Sequence, residues 1–180
     1  MTDTLLVNLF AGPSAGKSST AYTLCGLLKW DGVNAELAPE FAKDLTWEER
    51  RVALEDQIYI FGKQHFRVKR LIGKVDVIVT DSPLPLSLVY LNDDREAYQY
   101  FSKMVLSLFK EFNSINYFIE RDKPYMTAGR TQSEEEAIVK DRQIKDLLID
   151  NDIKCRVVKG NKVGVEQIHG DILDILDNQL

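Results

Sequence analysis

Two rhythms of apolar and polar positions alternate along this chain. In the first, almost every position is apolar. Leu5 to Phe10 (LLVNLF) is one such run, and Val75 to Thr80 (VDVIVT) is another, β-branched almost throughout. Short continuous apolar runs of this kind are what strands covered on both faces require. Val33 to Ala38, Ile115 to Glu120 and Cys155 to Val158 read as three more strands. In the second rhythm apolar residues return every three or four positions. Ala21, Leu24, Leu27 and Leu28 place a helix over Ser19 to Trp30, closed by Gly32. A long helical stretch is expected from Thr46 to Ile72, started by a capping box at Thr46-Trp47-Glu48-Glu49, weakened only at Gly62 and ended at Gly73. Asp93 or Asp94 caps a helix running to about Phe112. Ser133 and Glu136 make a second capping box, for a helix to about Ile149, and Val165, Ile168, Ile172, Leu173 and Leu176 mark the last helix.

Strands alternating with helices imply crossover connections, hence an α/β fold whose mostly parallel sheet carries helices on both faces. No repeat, low-complexity segment or linker interrupts the pattern, so residues 1–180 are expected to form a single domain. Ligands of such folds bind beyond the carboxyl ends of the strands. The turns at those ends are therefore where chemistry is sought.

The first of these turns is Ala11-Gly12-Pro13-Ser14-Ala15-Gly16-Lys17-Ser18. It follows the P-loop spacing of glycine, four residues, Gly-Lys-Ser, with Ala11 in place of the first glycine. Backbone N–H groups must turn inward around phosphate oxygens, so Gly16 stands where the chain must come close. The helix that follows adds partial positive charge at its N-terminus. Gly12, Pro13, Ser14, Ala15, Gly16, Lys17, Ser18 and Ser19 are thus expected to bind the phosphates of ATP, with Lys17 on the β and γ groups and Ser18 on Mg²⁺. Asp81, at the end of VDVIVT, is the expected second magnesium residue.

Three further features bear on what happens to the phosphate. Glu40 ends the second strand, on the acceptor side of the γ-phosphate, where a carboxylate orients or deprotonates an attacking hydroxyl; the alternative is a solvent-facing loop residue. The polar segment of about residues 121–132 offers Arg121, Lys123 and Arg130 around Gly129. It has the composition of a cationic lid, with Arg130 able to grip the transferring group bidentately, or of an ordinary charged loop. Arg142, in the following helix, is a weaker candidate. Lys63, Arg67, Arg70 and Lys74 recur at i, i+4, i+7 and i+11. This basic face is either a solvated helix face or a contact for acceptor phosphates. Gln57 and Gln64, on the same helix, carry amides able to read a base edge, and Phe41 and Tyr125 are candidates to stack on one.

Bulk composition narrows the classes. The 180 residues are 44% hydrophobic with a net charge of −5, which gives no overall electrostatic reason to bind nucleic acid. Cys25 and Cys155 provide no disulfide framework, which fits a reducing cytoplasm; Cys25 sits among leucines and reads as a core residue. The start of the chain lacks the basic region of a signal peptide, and no apolar run is long enough for a bilayer. The expectation is a cytoplasmic protein without a membrane partner. His65 and His169 are isolated and no Cys/His spacing points to zinc.

In this order, FAGPSAGKSS, APEFAKDL, VIVTDSPL and FIERDKPYMTAGRTQSEEEA resemble a family of small P-loop kinases and ATPases. It includes nicotinamide riboside kinase-like domains and phage-encoded ATP-binding proteins, some similar to kinases of 5-hydroxymethyluracil in DNA. The resemblance covers Leu5 to about Ile149. It implies a five-stranded parallel sheet, Lys17 and Ser18 on ATP and Mg²⁺, Glu40 on the acceptor side, and Asp81 as the Walker B-like acid. It further implies Arg121 and Arg130 in a lid and Lys159-Gly160-Asn161 near adenine. The leading expectation is a kinase moving the γ-phosphoryl of ATP to a hydroxyl of a nucleoside- or nucleotide-type acceptor, with a hydroxymethyl pyrimidine in DNA as one candidate. For a phage-encoded chain, the compartment would be the host cytoplasm. The competing expectation is a P-loop regulator that hydrolyses ATP without transferring it.

Overall fold

The computed structural model describes residues 4–91, 96–122 and 133–178. In chain order the elements are β1 (Leu5–Phe10), α1 (Lys17–Trp30), β2 (Ala35–Ala38), α2 (Phe41–Trp47), α3 (Arg51–Glu55), α4 (Gln57–Lys69) and β3 (Val77–Thr80). They continue with α5 (Leu86–Val89), α6 (Glu96–Lys110), β4 (Ser114–Glu120), α7 (Glu134–Asp150), β5 (Arg156–Lys159) and α8 (Lys162–Asp177). The five strands form one sheet in the order β2-β3-β1-β4-β5, every pair parallel.

Every residue of β1 is buried, and the pleat sends alternate side chains to opposite faces. Leu5, Val7 and Leu9 pack with Leu24 and Leu28 of α1 and Ile168 and Ile172 of α8. Phe10 faces the other way, towards Phe109 of α6 and Ile144 of α7, and Leu6 packs with Val68 of α4. The central strand is thus sandwiched, and it delivers the phosphate loop to the carboxyl ends of the parallel strands. No described helix is long and apolar enough to cross a membrane.

One expectation fails. The stretch from Thr46 to Ile72 is not one helix but α2, α3 and α4 with turns between them. Thr46 is not an N-cap, because its hydroxyl donates to the Ala42 carbonyl inside α2 at 3.0 Å. Glu49 then takes a left-handed φ of 56° and ends that helix. The cap that starts α4 is Asp56, whose carboxylate accepts from the N–H groups of Ile58 and Tyr59, both at 3.0 Å. The Ser133–Glu136 capping box is formed as read. The expected cap at Asp93 or Asp94 lies outside the described residues.

Candidate active site

The phosphate loop connects β1 to α1. Gly16 has φ of 103° and Ser14 φ of 64°, so the chain turns through left-handed backbone at both. Ala11 is buried and lies outside that region of φ, so a methyl group is tolerated there. The close approach falls one residue later. A Cβ on Gly12 would stand 2.6 Å from Oδ1 of Asp141 and 2.8 Å from the Ala137 carbonyl, both on α7. Helices α4, α7 and α8 begin with a side chain that caps their N–H groups, whereas α1 begins at Gly16 with none. No side chain caps its first turn, where the helix carries partial positive charge. Lys17 extends back across the loop, donating to the carbonyls of Ala11 at 2.7 Å and Gly12 at 2.9 Å.

Glu40 lies between β2 and α2, and successive backbone groups around it are each held by a side chain. Nη1 of Arg67 donates to the Pro39 carbonyl at 3.0 Å. The Glu40 N–H donates to Oδ1 of Asp81 at 3.0 Å, and the Phe41 N–H to Oε1 of Gln64 at 2.9 Å. Gln64 is buried, and its Nε2 donates to the Ala38 carbonyl and the Thr80 hydroxyl, each at 3.4 Å. Three residues read from the sequence as phosphate, metal or base contacts therefore converge on one turn. Gln64 also lines the larger cavity described below, but in this structure its amide is engaged by the Phe41 N–H, the Ala38 carbonyl and the Thr80 hydroxyl. Arg67 is engaged by the Pro39 carbonyl. It also pairs with Asp44 and lies over the Phe41 ring at 5.1 Å. The basic face is broken further because α4 ends at Lys69, short of Arg70 and Lys74. Phe41, the proposed stacking residue, packs edge-on against Tyr59 at 5.5 Å.

Two depressions meet at this turn. A small one, about 50 Å³, is lined by Ser14, Gly16, Lys17, Ser18, Ser19 and Glu40. A larger one, about 260 Å³, extends from Pro13, Lys17 and Glu40 over α2, α3, α4 and α5. Its walls include Trp47, Ile60, Phe61 and Leu84, with Gln57 and Ser87 among the polar groups. An apolar cleft with a few polar groups is the usual form of a small-molecule site. Gln57 lines the cavity, with its Nε2 3.4 Å from the Leu54 carbonyl. Trp47, Lys43 and Tyr90 also line it and were not singled out from the sequence. The only hint for the first two is that they follow Glu40 within two helical turns.

Asp81 is buried at the end of β3 and lines neither depression. The Ser18 hydroxyl and the Asp81 carboxylate are oxygen donors, few in number, as a magnesium ion that keeps most of its waters prefers. The donor chemistry fits Mg²⁺. Arg121 is drawn to the phosphate loop itself, donating to the Pro13 carbonyl at 2.8 Å and to Asp141 at 2.9 Å. Gly160, after β5, presses on the same loop, since a Cβ there would be 2.2 Å from the Ala15 carbonyl. Asn161 beside it bonds Asp122. Arg142 is exposed. Lys123, Tyr125, Gly129 and Arg130 lie outside the described residues. Burial pushes both thiols up, Cys155 to about 12, so neither is ionised near neutrality.

Residues 6–166 match the family described as AAA domain, and the chain belongs to that family. Among solved structures it is similar to thymidylate kinase from Ehrlichia chaffeensis, with TM-score 0.58 and 13% identity over 96% of this chain and 98% of that one. It is also similar to deoxyadenosine kinase from M. mycoides, determined with dCMP and dCDP, with TM-score 0.59 and 17% identity over 96% and 99%. No curated protein matches the chain. At these identities the likeness defines the fold, a P-loop NTPase fold of the nucleotide-kinase type.

Proposed function

We propose that this chain transfers the γ-phosphoryl group of ATP to a hydroxyl of a nucleoside- or nucleotide-type acceptor. The observation that carries this reading is that Lys17 and Glu40 line both depressions, the phosphate cradle and the larger cavity. In the proposed transfer the phosphoryl group moves from the cradle to the cavity along the wall the two share. The names of the two structural neighbours, both kinases of nucleosides or nucleotides, support the same reading.

In the proposed reaction the acceptor oxygen attacks Pγ as the bond from Pγ to the ADP oxygen breaks. Glu40 orients the hydroxyl and takes its proton. Lys17 leaves the carbonyls of Ala11 and Gly12 for the phosphates and neutralises charge on the transferring group. The N-terminal turn of α1, which no side chain caps, holds the phosphates in line. Ser18 and Asp81 would hold Mg²⁺, which would supply charge neutralisation on the phosphate oxygens. Arg130 is assigned to the transferring group. The apolar walls of the larger cavity suit a planar base, with Gln57 as the polar group beside it.

The test uses γ-labelled ATP with Mg²⁺ and a panel of nucleosides, mononucleotides, nicotinamide riboside, plain DNA and DNA carrying hydroxymethyl pyrimidines. Label on one acceptor is expected and fixes its class. Label released only as free phosphate, whatever is offered, overturns the proposal in favour of an ATP-hydrolysing regulator.

A further inference from the structure

The phosphate loop is anchored from α7, well away from its own sequence motif. Asp141 lies on α7, and its Oδ1 accepts from the Gly12 N–H at 2.6 Å. Its Oδ2 pairs with Nη2 of Arg121 at 2.9 Å, while Nη1 of Arg121 donates to the Pro13 carbonyl at 2.8 Å. The side chains of the pair are only 15% and 18% exposed, so solvent screens them far less than a surface pair. Gly12 fits this slot because it has no Cβ to meet Asp141 and the Ala137 carbonyl. From the other side Lys17 holds the carbonyls of Ala11 and Gly12. The first turn of the loop is thus gripped on its N–H by α7 and on its carbonyls by Arg121 and Lys17.

We infer that Asp141 is a positioning residue for ATP, acting through the backbone of Gly12 and through Arg121. The inference rests on the reading of this loop as the ATP site. A loop that is ordered before the ligand arrives does not spend binding energy on ordering itself. When Lys17 turns to the phosphates it releases both carbonyls, and the grip from α7 is what keeps the turn in place. Arg121 also neutralises the Asp141 carboxylate, which would otherwise repel a triphosphate.

Equilibrium binding of Mg²⁺-ATP to the full chain and its variants, measured by calorimetry well below each melting temperature, tests this without requiring transfer. Asp141→Ala is expected to weaken ATP about tenfold, as loss of a charge-assisted contact implies. Asp141→Asn keeps an oxygen for the Gly12 N–H and is expected to recover part of the loss, which a general loss of stability would not allow. The Asp141→Ala effect is expected to shrink when Arg121 is already Ala, because the two act on one turn. Should Asp141→Ala fail to fold, Arg121→Lys carries the test: lysine keeps the charge but does not bridge Asp141 and Pro13, and ATP should bind several-fold more weakly. Unchanged ATP affinity in the folded variants overturns the inference while leaving the ATP site intact. A wild-type chain that binds no ATP overturns both.

Discussion

The phosphate cradle and the larger cavity beside it are built in opposite ways. The cradle comes, but for Glu40, from one stretch, Ala11 to Ser19, and its shape follows from backbone: two left-handed residues and a helix that no side chain caps. The cavity borrows Pro13 and Lys17 from that stretch but draws the rest of its wall from residues 40–47, 54–64 and 82–90. A backbone-built site constrains residue types by geometry at fixed spacing and so leaves a motif. A side-chain-built site needs only suitable surfaces converging from distant segments, and leaves almost none. The turn carrying Glu40 joins the two. Glu40 lines both, and the backbone around it is held by Asp81, Gln64 and Arg67.

Substitutions on either side of that boundary should separate the two sites. The largest effect is expected at Lys17→Ala, which should lower transfer by about a thousandfold or more, as loss of a preorganised charge does, with the melting temperature little changed. Near-normal transfer rates in this variant would contradict the cradle assignment. Next is Glu40→Gln, expected to slow the single-turnover step by about a hundredfold, a typical size for a lost general base, with ATP affinity nearly intact. A collapse of ATP binding instead would move Glu40 wholly to the cradle side. Gln64→Leu should act through the Glu40 turn. The uncoupled amide at Phe41 should cost about 1–3 kcal/mol of stability, and kcat should fall while the KM for ATP holds; a change confined to acceptor KM would restore Gln64 as a base reader.

The smallest effect concerns pH. His65 stacks on Phe61, a wall of the cavity, with ring centroids 6.0 Å apart, and burial lowers its pKa below the usual histidine value. Lys69 lowers it further and Glu111 opposes this. The unfolded chain therefore binds the proton more readily than the folded one. The stability from keeping His65 neutral is fully present above about pH 6.5 and is lost as pH falls through the lowered folded value. Thermal melts of the wild type and His65→Gln from pH 7.5 to pH 5 should converge as the pH drops. Parallel curves would show that His65 does not contribute to the slope.

The legible parts of the fold were those with strong local signals. Strands buried on both faces read as continuous apolar runs, and β1 matches its expectation residue for residue. The missed break in the Thr46–Ile72 stretch shows the reverse. Thr46 carries the same hydroxyl whether it caps a helix or bonds back within one, and only the position of Ala42 in α2 decides which. Gln64 and Arg67 were noticed for their chemistry, which was sound, but an amide or guanidinium serves the protein's own backbone as readily as a ligand. Asp141 gave no signal at all, because its partner Gly12 lies 129 residues away.

By itself the sequence determined the five strands and their order along the chain, the first and last helices, the loop with Lys17 and Ser18, and the acids that follow β2 and β3. Each follows from residues near one another in the chain, where backbone geometry restricts what is allowed. Only the tertiary structure decided that Glu40 faces both cavity and cradle, that Asp81, Gln64 and Arg67 hold its turn, and that α7 grips the loop through Asp141. Those contacts join residues far apart in sequence. Their energy depends on distances that no local pattern encodes and that the packing of helices on the sheet alone sets.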